Sequence, residues 1–342
     1  MKIILKRNNT LILQVVLCLL IFRTLAFGNW QMQTESVIVP SSFDDKWSLV
    51  ILPDPQFYND VYPGLFDLQM TWTKNNAERI NVKYVLLPGD ITNSNKEREW
   101  KNASDSLSIL DKKVPYAMCP GNHDSGESGL AGDRTTLMDK YFPYKRLQGW
   151  SGMAGYKTKG QMSNTYHFFT DGDDSEWLIL CFEWSPTDET LAWGQQILKK
   201  FRNKKAIILI HAYLYNDSTR YDWKAKGQEQ KWNPHSYKTK LGNDGQDIWE
   251  KLIEDNKNVF LVISGHVLGD GTGVLVSQNN SGGDVIQMLV NYQSPINDIG
   301  GQAWLRVLTF NKDMKKITCW TYSPLYKKYR NEKDQLIEFL NK

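Results

Sequence analysis

The chain has 342 residues, 41% hydrophobic, 23% charged and 12% aromatic, with a formal net charge of +3. That is enough for one large core or two small ones. Acids and bases are interspersed and no basic block is present, which argues against nucleic acid as the main partner.

The first 28 residues stand apart. Lys2, Lys6 and Arg7 make a positive start, Leu11 to Phe22 is apolar but for Gln14, and Ala26 and Gly28 are small. This is the pattern of a signal peptide cleaved near Gly28. The apolar run falls short of the roughly 20 residues that span a bilayer, which favours cleavage over the alternative, an uncleaved signal anchor. A secreted chain fits the sequons at Asn102, Asn216 and Asn279, which make it a candidate glycoprotein. Removal of Cys18 leaves Cys119, Cys181 and Cys319. An odd number leaves at least one thiol outside any internal pair, and buried free thiols are expected rather than a disulfide scaffold.

Trp47 to Pro53 reads as a buried strand ending at Asp54-Pro55-Gln56, and Leu65 to Ile80 as a helix. Val82 to Leu87 is a second buried strand, ending at Gly89-Asp90. Lys96 to Leu110 is helical, and Val114 to Met118 is a third strand, ending at Gly121-Asn122-His123-Asp124. This repeated strand, polar turn and helix is the pattern of an α/β layer structure. Residues 125–160 read as loops with one short helix. Strands follow at 165–169 and 177–182, a helix at 191–202, and a strand at 206–210 ending at His211. The polar, aromatic segment from Tyr213 to Lys240 is a long insertion, and loops of that length are often functional. A helix at 246–254 precedes a strand at 259–263, which ends at Gly265-His266. The tail carries short strands at 274–276, 285–291, 304–310 and 316–322, expected to be antiparallel. One two-sheet domain over residues 45–325 is expected.

Apolar strands thus end at Asp54/Gln56, Asp90, Asn122/His123/Asp124, His211 and His266. Strands of one sheet bring such ends to one edge. Carboxylate, amide oxygen and imidazole together are ligands for Zn, Mn or Fe.

With these motifs the chain resembles the calcineurin-like metallophosphoesterases, from Asp54 to the last strands. The resemblance implies two mixed β-sheets packed as a sandwich with helices outside, a four-layer fold with a dinuclear metal site at the strand ends. It implies that Asp90 bridges two metals, that Asn122, His211 and His266 complete one shell, and that Asp54 binds the other metal. A hydroxide on the metals would attack phosphorus, with His123 contacting the phosphate or protonating the leaving oxygen, oriented by Asp124. The chain departs from the family twice. Gln56 stands where His is usual, and Leu268 stands where a second His follows His266. Gln binds through its amide oxygen; Leu cannot bind. One firm metal and one weaker, oxygen-bound metal are therefore expected (Mn, Fe, Zn or Mg overall, with Mn, Mg or Ca favoured at the weak site).

His167 and His235 read as a packed or surface His and a solvated loop His. Trp184 and Tyr213 could wall the cleft or belong to the core, and Asn291 could support the site from behind. The implied activity is that of a secreted phosphomonoesterase or phosphodiesterase. The rival is a non-catalytic, single-metal ligand binder on the same fold, favoured by Leu268 and disfavoured by His123.

Overall fold

The computed structural model describes residues 39–239, 242–294, 296–314, 316–332 and 336–338. The apolar leader and Cys18 lie outside these residues. Among the described residues, no helix is long and apolar enough to cross a membrane.

Two mixed sheets pack face to face. The first contains β1 (Lys46–Ile51), β2 (Val82–Leu87), β3 (Tyr116–Met118), β11 (Leu305–Asn311), β12 (Lys316–Ser323), β13 (Lys328–Arg330) and β14 (Leu336–Glu338). Its order is β13-β12-β11-β1-β2-β3, with β14 on β12. The second contains β4 (Met153–Tyr156), β5 (Thr165–Thr170), β6 (Glu176–Cys181), β7 (Lys205–Leu209), β8 (Val259–Ser264), β9 (Thr272–Gln278) and β10 (Asp284–Val290). Its order is β4-β5-β6-β7-β8-β10-β9.

The all-apolar strands are explained by burial on both faces. Leu49 and Ile51 point between the sheets, whereas Val50 and Leu52 point to the helices outside. Trp47 of β1 stacks on Phe310 at 4.1 Å between ring centroids and meets Trp177 of the other sheet edge-on at 5.3 Å. Each such fully buried side chain contributes about 1.5–3 kcal/mol. Helices α1 (Gln56–Val61), α2 (Gly64–Asn76) and α3 (Glu97–Ser108) connect β1, β2 and β3. Their buried side chains, Tyr58, Phe66, Met70 and Trp100, cover the first sheet's outer face. Helix α4 (Asp188–Lys200) covers the second. Thr187 caps it by accepting from the Thr190 amide, and Lys199 and Lys200 sit at its negative end.

The fold class is as expected; four local expectations change. Helix α1 begins at Gln56 itself, in a stretch read only as a turn. The segment 125–160 holds strand β4 and two short helices, Met138–Tyr141 and Tyr144–Leu147. The tail is not purely antiparallel: β10 pairs antiparallel with β9 but parallel with β8. It also divides between the sheets, since β11 returns to pair with β1. Alternating apolar residues specify a strand's faces but not its partner, so these pairings were not readable. Cys119, Cys181 and Cys319 are buried and none is disulfide-bonded.

Candidate metal centre

Strands β1, β2 and β3 run parallel, as do β6, β7 and β8. Their carboxyl ends therefore open on one side, and the polar residues that follow them meet there. Three of these residues, Asp54, Asp90 and His266, have φ of 37°, 46° and 77°. Non-glycine residues in this left-handed region are strained, and such strain concentrates at functional sites.

Four side chains converge on one point. His211 Nε2 lies 3.2 Å from Asn122 Oδ1, 3.2 Å from Asp90 Oδ2 and 3.2 Å from His266 Nδ1. All four residues are buried. The opposite ring nitrogens are already committed. His211 Nδ1–H donates to Pro88 O at 2.8 Å, and His266 Nε2–H donates to Trp232 O at 2.8 Å. These backbone acceptors leave Nε2 of His211 and Nδ1 of His266 as bare lone pairs. With His211 neutral, two imidazole lone pairs, a carboxylate oxygen and an amide oxygen thus face each other without a hydrogen among them. Such a set calls for positive charge at its centre, and its donor types suit a metal cation. Ligands at about 2.0–2.2 Å from a tetrahedral metal lie roughly 3.3 Å apart, close to the spacing here.

Asp54 is the second buried carboxylate. Both its oxygens accept from the His266 amide, at 3.2 and 3.4 Å, and Oδ1 is 3.6 Å from His211 Nδ1. Burial pushes its carboxyl well above the usual range; His211 pulls against this and Asp90 adds to it. Burial alone would also raise Asp90, but His211, His123 and His266 together hold it below the usual carboxylate range. Burial depresses His211, yet Asp90 and Asp54 overcome it and raise the ring to about 9. Burial, reinforced by His211, lowers His266 to about 3. Without a metal, a proton on His211 supplies part of the positive charge that the carboxylates require.

Gln56 is 1% exposed, and its Oε1 has no hydrogen-bond partner. An orphaned buried acceptor two residues from Asp54 fits a role as an oxygen donor to a hard cation. Leu268 is 39% exposed and contributes only its carbonyl, which accepts from Asn216 Nδ2 at 2.7 Å.

His123 stands beside this group but is held differently from expectation. Asp124 does not orient its ring. The Asp124 carboxylate accepts instead from the amides of Ile91, Thr92 and Gly121 and from the Thr92 hydroxyl, at 2.7 to 3.0 Å. It ties the Asp90 loop to the Asn122 loop, and burial, with Asp90 nearby, raises it to about 6. The His123 ring is oriented by Asn93, whose carbonyl accepts from Nδ1–H at 2.8 Å. That bond leaves Nε2 as the ring's other nitrogen. The His123 amide donates to Asp90 Oδ1 at 3.0 Å, so one peptide group couples the two residues.

The family model for calcineurin-like phosphoesterases matches residues 49–270, which include every one of these positions. The chain belongs to the calcineurin-like phosphoesterase family. It is 32% identical over 291 residues to the uncharacterised protein YvnB of Bacillus subtilis, covering 83% of this chain and 20% of YvnB. It is 26% identical over 137 residues to a probable glycerophosphodiester phosphodiesterase, GpdQ, of Arcobacter nitrofigilis, covering 37% of this chain and 40% of that one. The chain thus spans well under half the length of these relatives. Among solved structures, purple acid phosphatase PPD1 of yellow lupin superposes with a TM-score of 0.51 at 15% identity, over 85% of this chain and 54% of that one. At that identity the likeness shows the fold.

This phosphoesterase-family chain holds its centre with groups that motif reading missed. The carbonyls of Pro88, Asn93 and Trp232 carry no side-chain signature, because every residue has a carbonyl. Trp232 comes from the long insertion. Trp184, expected as cleft wall or core, is buried with its ring 5.7 Å from His211 and 5.2 Å from His266. Tyr221 and Tyr237, also from the insertion, lie 6.0 and 6.1 Å from His266. Tyr213 is a buried core residue whose hydroxyl donates to Gln287 at 2.9 Å. His167 is buried away from the strand ends, between Tyr84 and Thr165. His235 pairs with Asp247 at 2.9 Å. It forms a second His–Asp cluster with Asp244, but those carboxylates are occupied by the Trp223 and Asp247 amides, Asn233 and Lys224.

Proposed function

We propose that the chain is a secreted, metal-dependent phosphoric ester hydrolase acting on a phosphomonoester or phosphodiester. The observation that carries this reading is the convergence of Asp90, Asn122, His211 and His266 with both imidazoles turned inward as lone-pair donors. These four would hold the firm metal. Asp54 and the unpartnered Gln56 Oε1, with Asp90 shared, would hold a second, weaker one. Divalent metal bound there supplies Lewis acidity and lowers the pKa of water towards about 7. The protein's own residues do the rest. Asn122 and Asp90 fix the ligand geometry through the turn that also carries His123. His123, aligned by the Asn93 carbonyl, touches the phosphoryl oxygens and gives a proton to the departing alkoxide. Asp124 keeps the two loops in register and has no direct part in the reaction. Trp184, Tyr221 and Tyr237 shield the imidazoles from bulk water and lower the local dielectric.

The leader from Lys2 to Gly28 supports export. Of the three sequon asparagines Asn216 alone is exposed, and its Nδ2, which donates to Leu268 O at 2.7 Å, would have to give up that bond to carry a glycan; Asn102 lies within α3 with its amide on Asn59 O at 2.9 Å.

One observation favours the non-catalytic reading: the solvent-directed Leu268 leaves the second site short of a nitrogen ligand. The aligned His123 counts against it, since a structural metal does not need that ring. Turnover of p-nitrophenyl phosphate and bis-p-nitrophenyl phosphate with Mn, Zn, Fe or Mg decides between them. The hydrolase reading expects activity that His123→Ala lowers by about 10²–10⁴-fold while bound metal stays unchanged. No activity with any metal, or full activity in His123→Ala, refutes it. Amino-terminal sequencing of protein from the medium tests cleavage near Gly28.

A further inference from the structure

A recess of about 220 Å³ opens between the loop that follows His266 and the segment after β10. Leu268, Asn291, Gln293, Ser294, Trp304 and Arg330 are among its lining residues. Its walls belong to segments that lead away from both halves of the candidate metal centre, and none of the centre's own side chains lines it. Asn291 follows β10, whose Leu289 pairs with Ser264, two residues before His266. The turn Ile296–Gly301 that leads to Trp304 packs on α1: a Cβ built at Gly300 would lie 2.8 Å from the Tyr58 amide, two residues beyond Gln56.

Two buried polar atoms in this recess have no protein partner. Asn291 is 2% exposed, and its Oδ1 accepts from the Gln293 amide at 2.9 Å. That bond fixes the amide's orientation, because turning it over would set two donors against each other. The Nδ2 group is then a buried donor with nothing to donate to, and Gln293 Oε1 is a buried acceptor with nothing to accept. Unmet buried groups are destabilising unless something arrives to satisfy them. The nearby Arg330 is already engaged, donating to Asp270 O at 2.5 Å and lying 3.4 Å from Glu332. Ser294 adds a hydroxyl oxygen that can accept, its hydrogen going to Asp298 O at 3.0 Å, and Trp304 adds an aromatic ring.

We infer that this recess receives the alcohol portion of the ester and that this alcohol is a sugar or related polyol. The inference rests on the hydrolase reading above. A neutral donor, a neutral acceptor and an aromatic face suit a group whose hydroxyls both give and accept hydrogen bonds and whose C–H faces are apolar. An acyl chain would want an apolar lining. A second phosphate would want an uncommitted cation.

The test uses the full chain loaded with Mn²⁺. Wild-type kcat/KM is compared for glucose 6-phosphate, ethyl phosphate and adenosine 5′-monophosphate, with p-nitrophenyl phosphate reporting general activity. Affinities of the same three esters are measured by calorimetry. The expected result is a preference of at least about tenfold for glucose 6-phosphate over ethyl phosphate. Asn291→Asp keeps the bond to the Gln293 amide and removes the donor, and Gln293→Ala removes the acceptor. In both the preference falls to within about twofold. A wild-type preference near one overturns the inference while p-nitrophenyl phosphate turnover leaves the hydrolase reading standing. A preference for the nucleotide also overturns it. If no ester turns over, the hydrolase reading fails and the calorimetric affinity ratio alone decides the recess.

Discussion

Gly121→Ala adds one methyl group at the base of the turn that carries Asn122 and His123. A Cβ built on Gly121 would sit 2.1 Å from Asp90 Oδ1 and 2.4 Å from the Asp90 amide, where ordinary contact begins near 3.4 Å. Neither neighbour can yield cheaply. The amide is backbone, and the carboxylate is held by the His123 amide on Oδ1 and faces His211 on Oδ2. The carboxylate, the turn, or both must move by roughly 1 Å, and a misplacement of that size costs about 10²-fold in rate. Overpacking of this kind also costs about 1–3 kcal/mol in stability. The assay pairs p-nitrophenyl phosphate kcat/KM with metal content by mass spectrometry and the urea midpoint. Gly64→Ala serves as the control, since a Cβ there meets nothing within 4 Å. Loss of both activity and bound metal in Gly121→Ala, with Gly64→Ala close to wild type, is the expected outcome. A Gly121→Ala protein with wild-type kcat/KM and full metal content would refute the claim that Asp90 must stand where it does.

Chelation followed by dialysis should lower Tm, and Mn²⁺ added back at about 100 times Kd should restore roughly 2.7 kcal/mol; an unchanged Tm by calorimetry would sink the cation argument. His167 is buried as a neutral ring, and burial lowers it to about 3. Its folded value lies below its unfolded value of about 6.5, so its contribution is fully present above that pH. It is lost as pH falls from there towards 3, by at most about 1.4 kcal/mol per pH unit. Urea titrations at pH 7 and pH 5 should therefore show the stability gap between wild type and His167→Gln narrowing with acidity; a constant gap contradicts a neutral ring. Glu332→Ala should destabilise by about 3–5 kcal/mol, because it removes the carboxylate 2.8 Å from Arg306, itself 1% exposed. A urea midpoint close to wild type would show the pair to be dispensable.

The motif residues were legible because each follows an apolar strand and a tight turn. That local chemistry survives in sequence as Gly89-Asp90, Gly121-Asn122-His123-Asp124 and Gly265-His266. Their meeting was legible only in part: parallel pairing puts the ends of β1, β2 and β3 on one edge and those of β7 and β8 on another, but these strands lie in two sheets rather than the one expected, and only sheet packing brings the two edges together. The role of Asp124 was not legible. The family resemblance implied that Asp124 orients His123, but adjacent side chains on a sharp turn diverge, and the carboxylate went to the amides of Ile91, Thr92 and Gly121. The strained backbone at Asp54, Asp90 and His266 was likewise hidden, because positive φ in a non-glycine residue leaves no residue-type signal.

The sequence by itself determined the strand-and-helix alternation, the two-sheet class, the ligand residue types and the two departures at Gln56 and Leu268. The first three follow from side-chain chemistry and local periodicity, and the departures from the family resemblance. Only the tertiary structure decided which nitrogen of each His faces the centre, that Asn93 rather than Asp124 aligns His123, and that the long insertion supplies the Trp232 carbonyl behind His266. It also left a donor on Asn291 and an acceptor on Gln293, two residues lining one recess, without a protein partner. Those outcomes depend on backbone carbonyls and long-range strand pairings, and neither has a fixed residue identity that a sequence can display.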